Sequence, residues 1–257
     1  MMRFLSKVSI VTGAASGIGR DTALLLAREG ASVVAVDVDA DALRHLAEEI
    51  GDAGGVCAAV PLDVLRADEV DRMVEDVIAR FGRVDVLVNG VGGSTVLARP
   101  DALIEEISPD DWERVLGFNL RGTFLCIRAV VPHMKARRAG VIVNLSSIVA
   151  RGDHAARRTN APYVVSKAGV QALTRKLAVE LGPFGIRCNA AAPGVTRTPR
   201  IETLLARRSQ TEMDAMIDAV PLRRLATPGD LATVVAFLAS DESGFVSGQT
   251  IEVTGGQ

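Results

Sequence analysis

Apolar residues recur along this chain in two rhythms, and the order of the rhythms predicts the architecture. Short β-branched or apolar runs at residues 8–12, 31–36, 56–60, 84–88, 140–145, 186–192 and 250–253 read as strands, the one at 140–145 as a buried strand. Between them lie stretches with apolar residues three and four apart, the spacing of one helix face. The clearest is 67–81, where Val70, Met73, Val74, Val77, Ile78 and Phe81 form a stripe suited to core packing. Further helices are expected from Ile18 to about Glu29, where Gly30 stops the pattern, and over 40–50. Others run from Pro109 to about Lys135, from Tyr163 to about Gly182, and over 228–239. Residues 197–227 are polar and Arg-rich with two short helical patterns, and read as a mobile lid in which Met213 and Met216 pack.

Strands alternating with helices build βαβ units joined by right-handed crossovers. The fold class predicted is α/β: a Rossmann-like, doubly wound, seven-stranded parallel sheet with helices on both faces, one domain over residues 1–257. Such sheets bind ligands beyond the carboxyl ends of their strands. Asp37, Asn89, Ser147 and Pro193 all fall at those ends. That clustering is the strongest physical argument for a site.

The first strand runs directly into Gly13-Ala-Ala-Ser16-Gly17-Ile18-Gly19 and then a helix. Glycines there allow a tight turn and let backbone approach a diphosphate, which rests on the helix N-terminal amides. The second strand ends at Asp37, eighteen residues after Gly19. A carboxylate at that place accepts hydrogen bonds from ribose hydroxyls and repels a 2′-phosphate. Neither Ser16 nor Val38 is basic, so NAD is favoured over NADP as cofactor. The plainer account makes Asp37 a loop cap before the next helix.

Tyr163 and Lys167 are four apart and share a helix face. Ala161-Pro162 supplies the helix start. Ser146 and Ser147 close the 140–145 strand and can meet Tyr163 in one cleft. A phenol is a poor base at neutral pH, but a neighbouring ammonium lowers its pKa, and Ser147 could donate to the same substrate oxygen. The chemistry suggested is proton transfer at an alcohol or carbonyl oxygen. Asn119, inside a helical pattern, is either an exposed polar residue or one that deforms the helix for a purpose.

Composition narrows the classes. A formal net charge of −2 across 257 residues argues against a nucleic-acid binder. Cys57, Cys126 and Cys188 form no disulfide or metal pattern and suggest reduced thiols in the cytoplasm. His45, His133 and His154 have no ligand spacing, so no metal is expected. Residues 1–7 lack the apolar core of a signal peptide. No uninterrupted apolar run reaches the length of a membrane span, so no membrane partner is expected.

With Thr12-Gly-x-x-x-Gly-Ile-Gly19, Asn89, Asn119, Ser147, Tyr163-x-x-x-Lys167 and Pro193-Gly194 in order, the chain resembles the single-domain short-chain dehydrogenases/reductases. The resemblance implies that Tyr163 is the acid/base, that Lys167 depresses its pKa and binds the nicotinamide ribose, and that Ser147 polarises the substrate oxygen. It implies that Asn119 anchors a water linking Lys167 to solvent, that Asp63 and Val64 contact adenine, and that Asn89 helps place the cofactor. Gly13, Ser16, Gly17, Ile18 and Gly19 would hold the diphosphate, with Pro193, Gly194, Thr196 and Thr198 around the carboxamide. A homotetramer is the family expectation.

Two departures stand out. The family's usual Asn-Asn-Ala-Gly is Asn89-Gly90-Val91-Gly92 here, which predicts a looser loop on the adenosine side. Ser147 and Tyr163 are sixteen residues apart, about three more than is usual. The additional residues are placed in 152–160, a loop near Arg151 that carries His154, Arg157 and Arg158. Together with Arg197 or Arg200 these would prefer an anionic or acyl-carrier-linked substrate; a solvated basic loop is the plainer account. The function expected is NAD-dependent interconversion of a secondary alcohol and its ketone, with oxidation the favoured direction. An NADP-dependent 3-oxoacyl carrier-protein reductase and a non-catalytic nucleotide-binding regulator are the alternatives. A sugar-nucleotide epimerase would need a larger substrate domain.

Overall fold

In the computed structural model, residues 2–94, 96–153, 156–157 and 159–257 are described. Seven parallel strands form one sheet in the order β3-β2-β1-β4-β5-β6-β7. They are β1 (Val8–Thr12), β2 (Ser32–Asp37), β3 (Val56–Pro61), β4 (Val86–Asn89), β5 (Gly140–Leu145), β6 (Ile186–Pro193) and β7 (Thr250–Val253). The order reverses between β1 and β4, which opens a crevice at the carboxyl ends of those strands. Every residue of β1 and β4 is buried, because helices cover both faces; this is why those runs are continuously apolar rather than alternating.

The helices are α1 (Gly17–Arg28), α2 (Ala40–Asp52), α3 (Ala67–Phe81), α4 (Pro109–Leu116), α5 (Gly122–Arg137), α6 (Ala161–Leu181), α7 (Pro199–Leu205), α8 (Gln210–Asp218) and α9 (Pro228–Ala239). One core layer joins Leu26 of α1, Leu43 and Leu46 of α2, and Val235 and Leu238 of α9 to one face of the sheet. The other joins Val70 and Val77 of α3, Val130 and Met134 of α5, and Leu177 and Leu181 of α6 to the opposite face. The stripe expected on 67–81 is therefore core, as its spacing requires. A smaller cluster of Leu205, Val220 and Leu225 holds residues 197–227 together, with Met213 and Met216 packed against it.

The helix expected from Pro109 is divided. A π-helical turn, Gly117–Arg121, joins α4 to α5. Its cause is Asn119, whose Nδ2 donates back to the Val115 carbonyl at 3.0 Å and so widens the turn. The whole span Pro109–Arg137 is long and apolar enough to cross a bilayer by length and composition. Its inner residues Ile127, Val130 and Met134 are packed in the core instead.

Candidate active site

The crevice above β1 and β4 is lined at one end by the first glycine turn and at the other by Tyr163 and Lys167. Gly13 and Gly17 have φ of +68° and +56°, a region that side-chain-bearing residues rarely adopt. A Cβ on Gly13 would come within 2.9 Å of the Gly90 carbonyl carbon, and one on Gly17 within 2.9 Å of Thr198 Cγ2. The amino end of α1 has neither a side-chain cap nor an acidic residue in its first turn. Its amides therefore face the crevice with no protein anion on them, the condition that favours a phosphate.

Asp37 closes this end. Its carboxylate accepts from Ala15 N at 3.1 Å, from Val38 N at 2.8 Å and from Asp39 N at 3.3 Å. The loop-cap account is thus real, but Asp37 still borders the crevice and also braces the glycine turn. Asp39, not Asp37, caps α2. Asp63 and Val64 line the same wall, with Asp63 accepting from Leu65 N at 2.9 Å. The loop predicted to be loose is closely packed: Gly90 lies against the Thr12 carbonyl, where no Cβ fits, and its N–H donates to Thr12 Oγ1 at 3.1 Å. Glycine at position 90 permits that approach.

At the far end, α6 begins with Asn160, whose Oδ1 accepts from Tyr163 N at 3.0 Å while its Nδ2 donates to the Pro100 carbonyl at 3.0 Å. This buried cap fixes the first turn and hence Tyr163; the Asn preceding Ala-Pro was its signal in the sequence. One turn on, Lys167 is buried, donating to the Leu145 carbonyl at 2.8 Å with its Nζ 5.8 Å from the Tyr163 ring centroid. Ser146 lines the crevice and ties β5 to α6 by donating to the Lys167 carbonyl at 3.0 Å. Ser147 accepts from Val149 N at 3.4 Å and stands beside the phenol.

Asn119 is fully buried; its Oδ1 accepts from Gly93 N at 2.8 Å and its Nδ2 donates to the Gly93 carbonyl at 3.2 Å. A Cβ on Gly92 would lie 2.8 Å from that Oδ1 and 2.7 Å from Lys167 Nζ. Asn119 and Lys167 therefore converge on one small space beside the loop after β4. Arg200, in the first turn of α7, crosses the crevice and donates from Nη2 to the Gly92 carbonyl at 2.7 Å.

Comparison with known proteins agrees with this geometry. Residues 13–257 match the family model described as enoyl-(acyl carrier protein) reductase. The chain is 42% identical over 255 residues to the 3-oxoacyl-[acyl-carrier-protein] reductase FabG of Thermotoga maritima, covering 99% of each. It is 40% identical over 256 residues to the (2S)-[(R)-hydroxy(phenyl)methyl]succinyl-CoA dehydrogenase subunit BbsD of Thauera aromatica, covering 100% of this chain and 98% of that one. Among solved structures, a 7α-hydroxysteroid dehydrogenase complexed with NADH and 7-oxo glycochenodeoxycholic acid superposes with a TM-score of 0.90 at 33% identity, covering 99% of this chain and 95% of that one. A Brucella melitensis 3-oxoacyl-[acyl-carrier protein] reductase with bound NAD gives 0.87 at 33% identity, covering 99% and 93%.

The chain is a short-chain dehydrogenase/reductase. As a member of this family it is an oxidoreductase acting on a CH–OH or keto group with a nucleotide cofactor. The residues present fit a dinucleotide, on the evidence of the glycine cradle and the uncapped amino end of α1.

Not every residue expected in this dehydrogenase/reductase site borders the crevice. Gly13, Ser16, Gly17, Ile18, Gly19, Asp37, Asp63, Val64, Tyr163, Lys167, Pro193 and Thr198 do. Asn89 does not line the crevice; at the end of β4 it donates from Nδ2 to Asn144 Oδ1 at 2.9 Å, tying β4 to β5, while its buried Oδ1 has no partner among the described residues. Gly194 donates from N to the Val253 carbonyl at 3.0 Å, and buried Thr196 donates to the Gly194 carbonyl at 3.2 Å. Arg151 is paired with Glu252, Arg157 is exposed, and His154 and Arg158 lie outside the described residues.

The electrostatics also depart from expectation. Burial raises the Tyr163 pKa; the opposing influences are the Ser147 hydroxyl and then the Arg200 charge, not Lys167. Burial, followed by repulsion from Arg200, pushes Lys167 itself down to about 7. Two acids, Asp37 and Asp63, line the glycine-turn end, whereas the cations lining the crevice, Lys167 and Arg200, stand at the tyrosine end.

Proposed function

We propose that the protein interconverts a secondary alcohol and its ketone with NAD(H), alcohol oxidation being the favoured direction. The observation that carries this reading is the charge division of the crevice: acids alone at the adenosine end, and a phenol with two cations at the other. A carboxylate at Asp37 suits a free ribose 2′-hydroxyl and opposes a 2′-phosphate.

A bound nicotinamide supplies hydride exchange with the carbinol carbon. The side chains do the rest. Tyr163 exchanges a proton with the substrate oxygen, which Ser147 holds from beside it. Lys167, its pKa pushed down to about 7 by burial, holds its proton when an acceptor such as a ribose hydroxyl or the phenolate is presented to it. Asn119 fixes the loop after β4, and through it the wall facing Lys167; a water beside Gly92 would link that ammonium to solvent. The segment 197–227 closes over the substrate as a lid. In this reading the protein is cytoplasmic, consistent with three free thiols, and works as a homotetramer.

The names of several relatives favour a second reading, a 3-oxoacyl carrier-protein reductase, which with NADP(H) is the alternative expected from the sequence. A panel of secondary alcohols and ketones, assayed with NAD(H) and NADP(H) on the parent and on Tyr163→Phe, separates these. NAD-linked turnover lost in the variant with NADH binding retained supports the proposal. Turnover restricted to NADPH supports the second reading, and unchanged nucleotide binding with no turnover in the parent points to a regulator.

A further inference from the structure

Of the arginines, Arg200 lines the crevice, and the partners of its neighbours in residues 197–227 and of Arg151 set it apart from them. Arg151 is paired with Glu252, Arg197 with Glu202 at 2.5 Å, Arg223 with Asp218 at 2.6 Å and Arg224 with Asp230 at 2.6 Å. Arg200 differs. Among the described residues no carboxylate pairs with it, and its contact is the neutral Gly92 carbonyl. Its guanidinium fills the space that a side chain on Gly93 would need. Its charge is felt at both Tyr163 and Lys167.

We propose that Arg200 is the specificity-determining residue of the substrate site and recognises a carboxylate carried one or two carbons from the reacting carbon. On the alcohol–ketone reading above, on which this rests, the substrates are 2- or 3-hydroxy acids and the matching oxo acids. The planar guanidinium fork pairs with a carboxylate through two parallel hydrogen bonds, and a charged acceptor outcompetes the carbonyl it now holds. Position argues against a role toward the diphosphate: Thr198, two residues earlier, is what meets Gly17 of the glycine turn, whereas Arg200 meets Gly92 and Gly93 beside Lys167.

The test compares kcat/KM for 2- and 3-hydroxybutyrate with that for their methyl esters, with NAD, alongside NADH binding. The parent favours the acids, and Arg200→Met lowers the acid-to-ester ratio on the order of 10- to 100-fold. Arg200→Lys recovers part of the ratio, and Gly93→Ala, which displaces the guanidinium, lowers it. Arg197→Met, whose charge is already spent on Glu202, leaves the ratio where it was. A parent that prefers the esters, or that binds NADH but turns over no acid, overturns the proposal. So does an Arg200→Met variant that loses acids and esters alike with weakened NADH binding, since the guanidinium then serves the cofactor. If NADH fails to bind the parent and no alcohol or ketone is turned over, it is the underlying reading that fails.

Discussion

The two ends of the crevice are built on opposite principles. At the glycine-turn end the chain is nearly all backbone: Gly13 to Gly19 supply amides, and Asp37 is held by three backbone N–H groups. At the tyrosine end the surfaces are side chains held by residues far away in sequence. Asn119 reaches Gly93, Lys167 reaches Leu145 and Arg200 reaches Gly92. The first end can bind a constant group with local structure, and the second can vary its chemistry by changing one distant side chain.

The sharpest break in this comparison comes from Tyr163→Phe. Removing the proton carrier should lower kcat on the order of 10²- to 10⁴-fold. NADH affinity, measured by fluorescence titration, should change far less, because the glycine-turn end is untouched. Asn119→Ala comes next. It leaves both backbone groups of Gly93 buried without their amide partner, at a cost of about 2–4 kcal/mol in stability by denaturant unfolding. The same variant should lose kcat more than it loses cofactor affinity.

Smaller effects belong to the acid end. Asp37→Asn keeps an oxygen for Ala15 N but loses the charge, so the turn should survive. NADH affinity should fall on the order of 3- to 10-fold and NADPH affinity should rise. The mildest signature is that of Lys167, whose pKa in the folded chain is pushed down to about 7 from the 10.5 of a free lysine. Between those values the unfolded chain binds a proton that the cofactor-free native state does not, so this group makes stability rise with pH across that window. Wild type compared with Lys167→Met should therefore gain stability by about 1 kcal/mol per pH unit between pH 7.5 and 9.5.

The same contrast governs what was legible in the sequence. Strand and helix rhythms placed each of the seven strands to within two residues; in inner strands such as β1 and β4 this is because a sheet covered on both faces demands continuous apolar runs. Gly13 to Gly19 and Asp37 were readable because their chemistry is local. Tyr163 and Lys167 were readable from their helical spacing, although not the direction of the phenol's pKa, which burial decides. Asn119 revealed itself as a misfit in a helix, yet its partner Gly93, 26 residues away, carried no signal. Arg200 was one arginine among many in a polar segment. What singles it out is its place in the crevice with no carboxylate beside it among the described residues, which is a property of packing and not of spacing. Gly90 misled in the other direction: a missing side chain suggested slack, and the space it vacates is taken up by the Thr12 carbonyl.

The central claim is that the acid end admits a dinucleotide bearing a free 2′-hydroxyl and refuses one bearing a phosphate. Equilibrium titration of the unmodified protein with NADH and with NADPH tests it most directly. NADH should bind roughly tenfold or more tightly than NADPH, as a carboxylate opposing a phosphate requires. Equal affinities, or tighter binding of NADPH, would contradict the account.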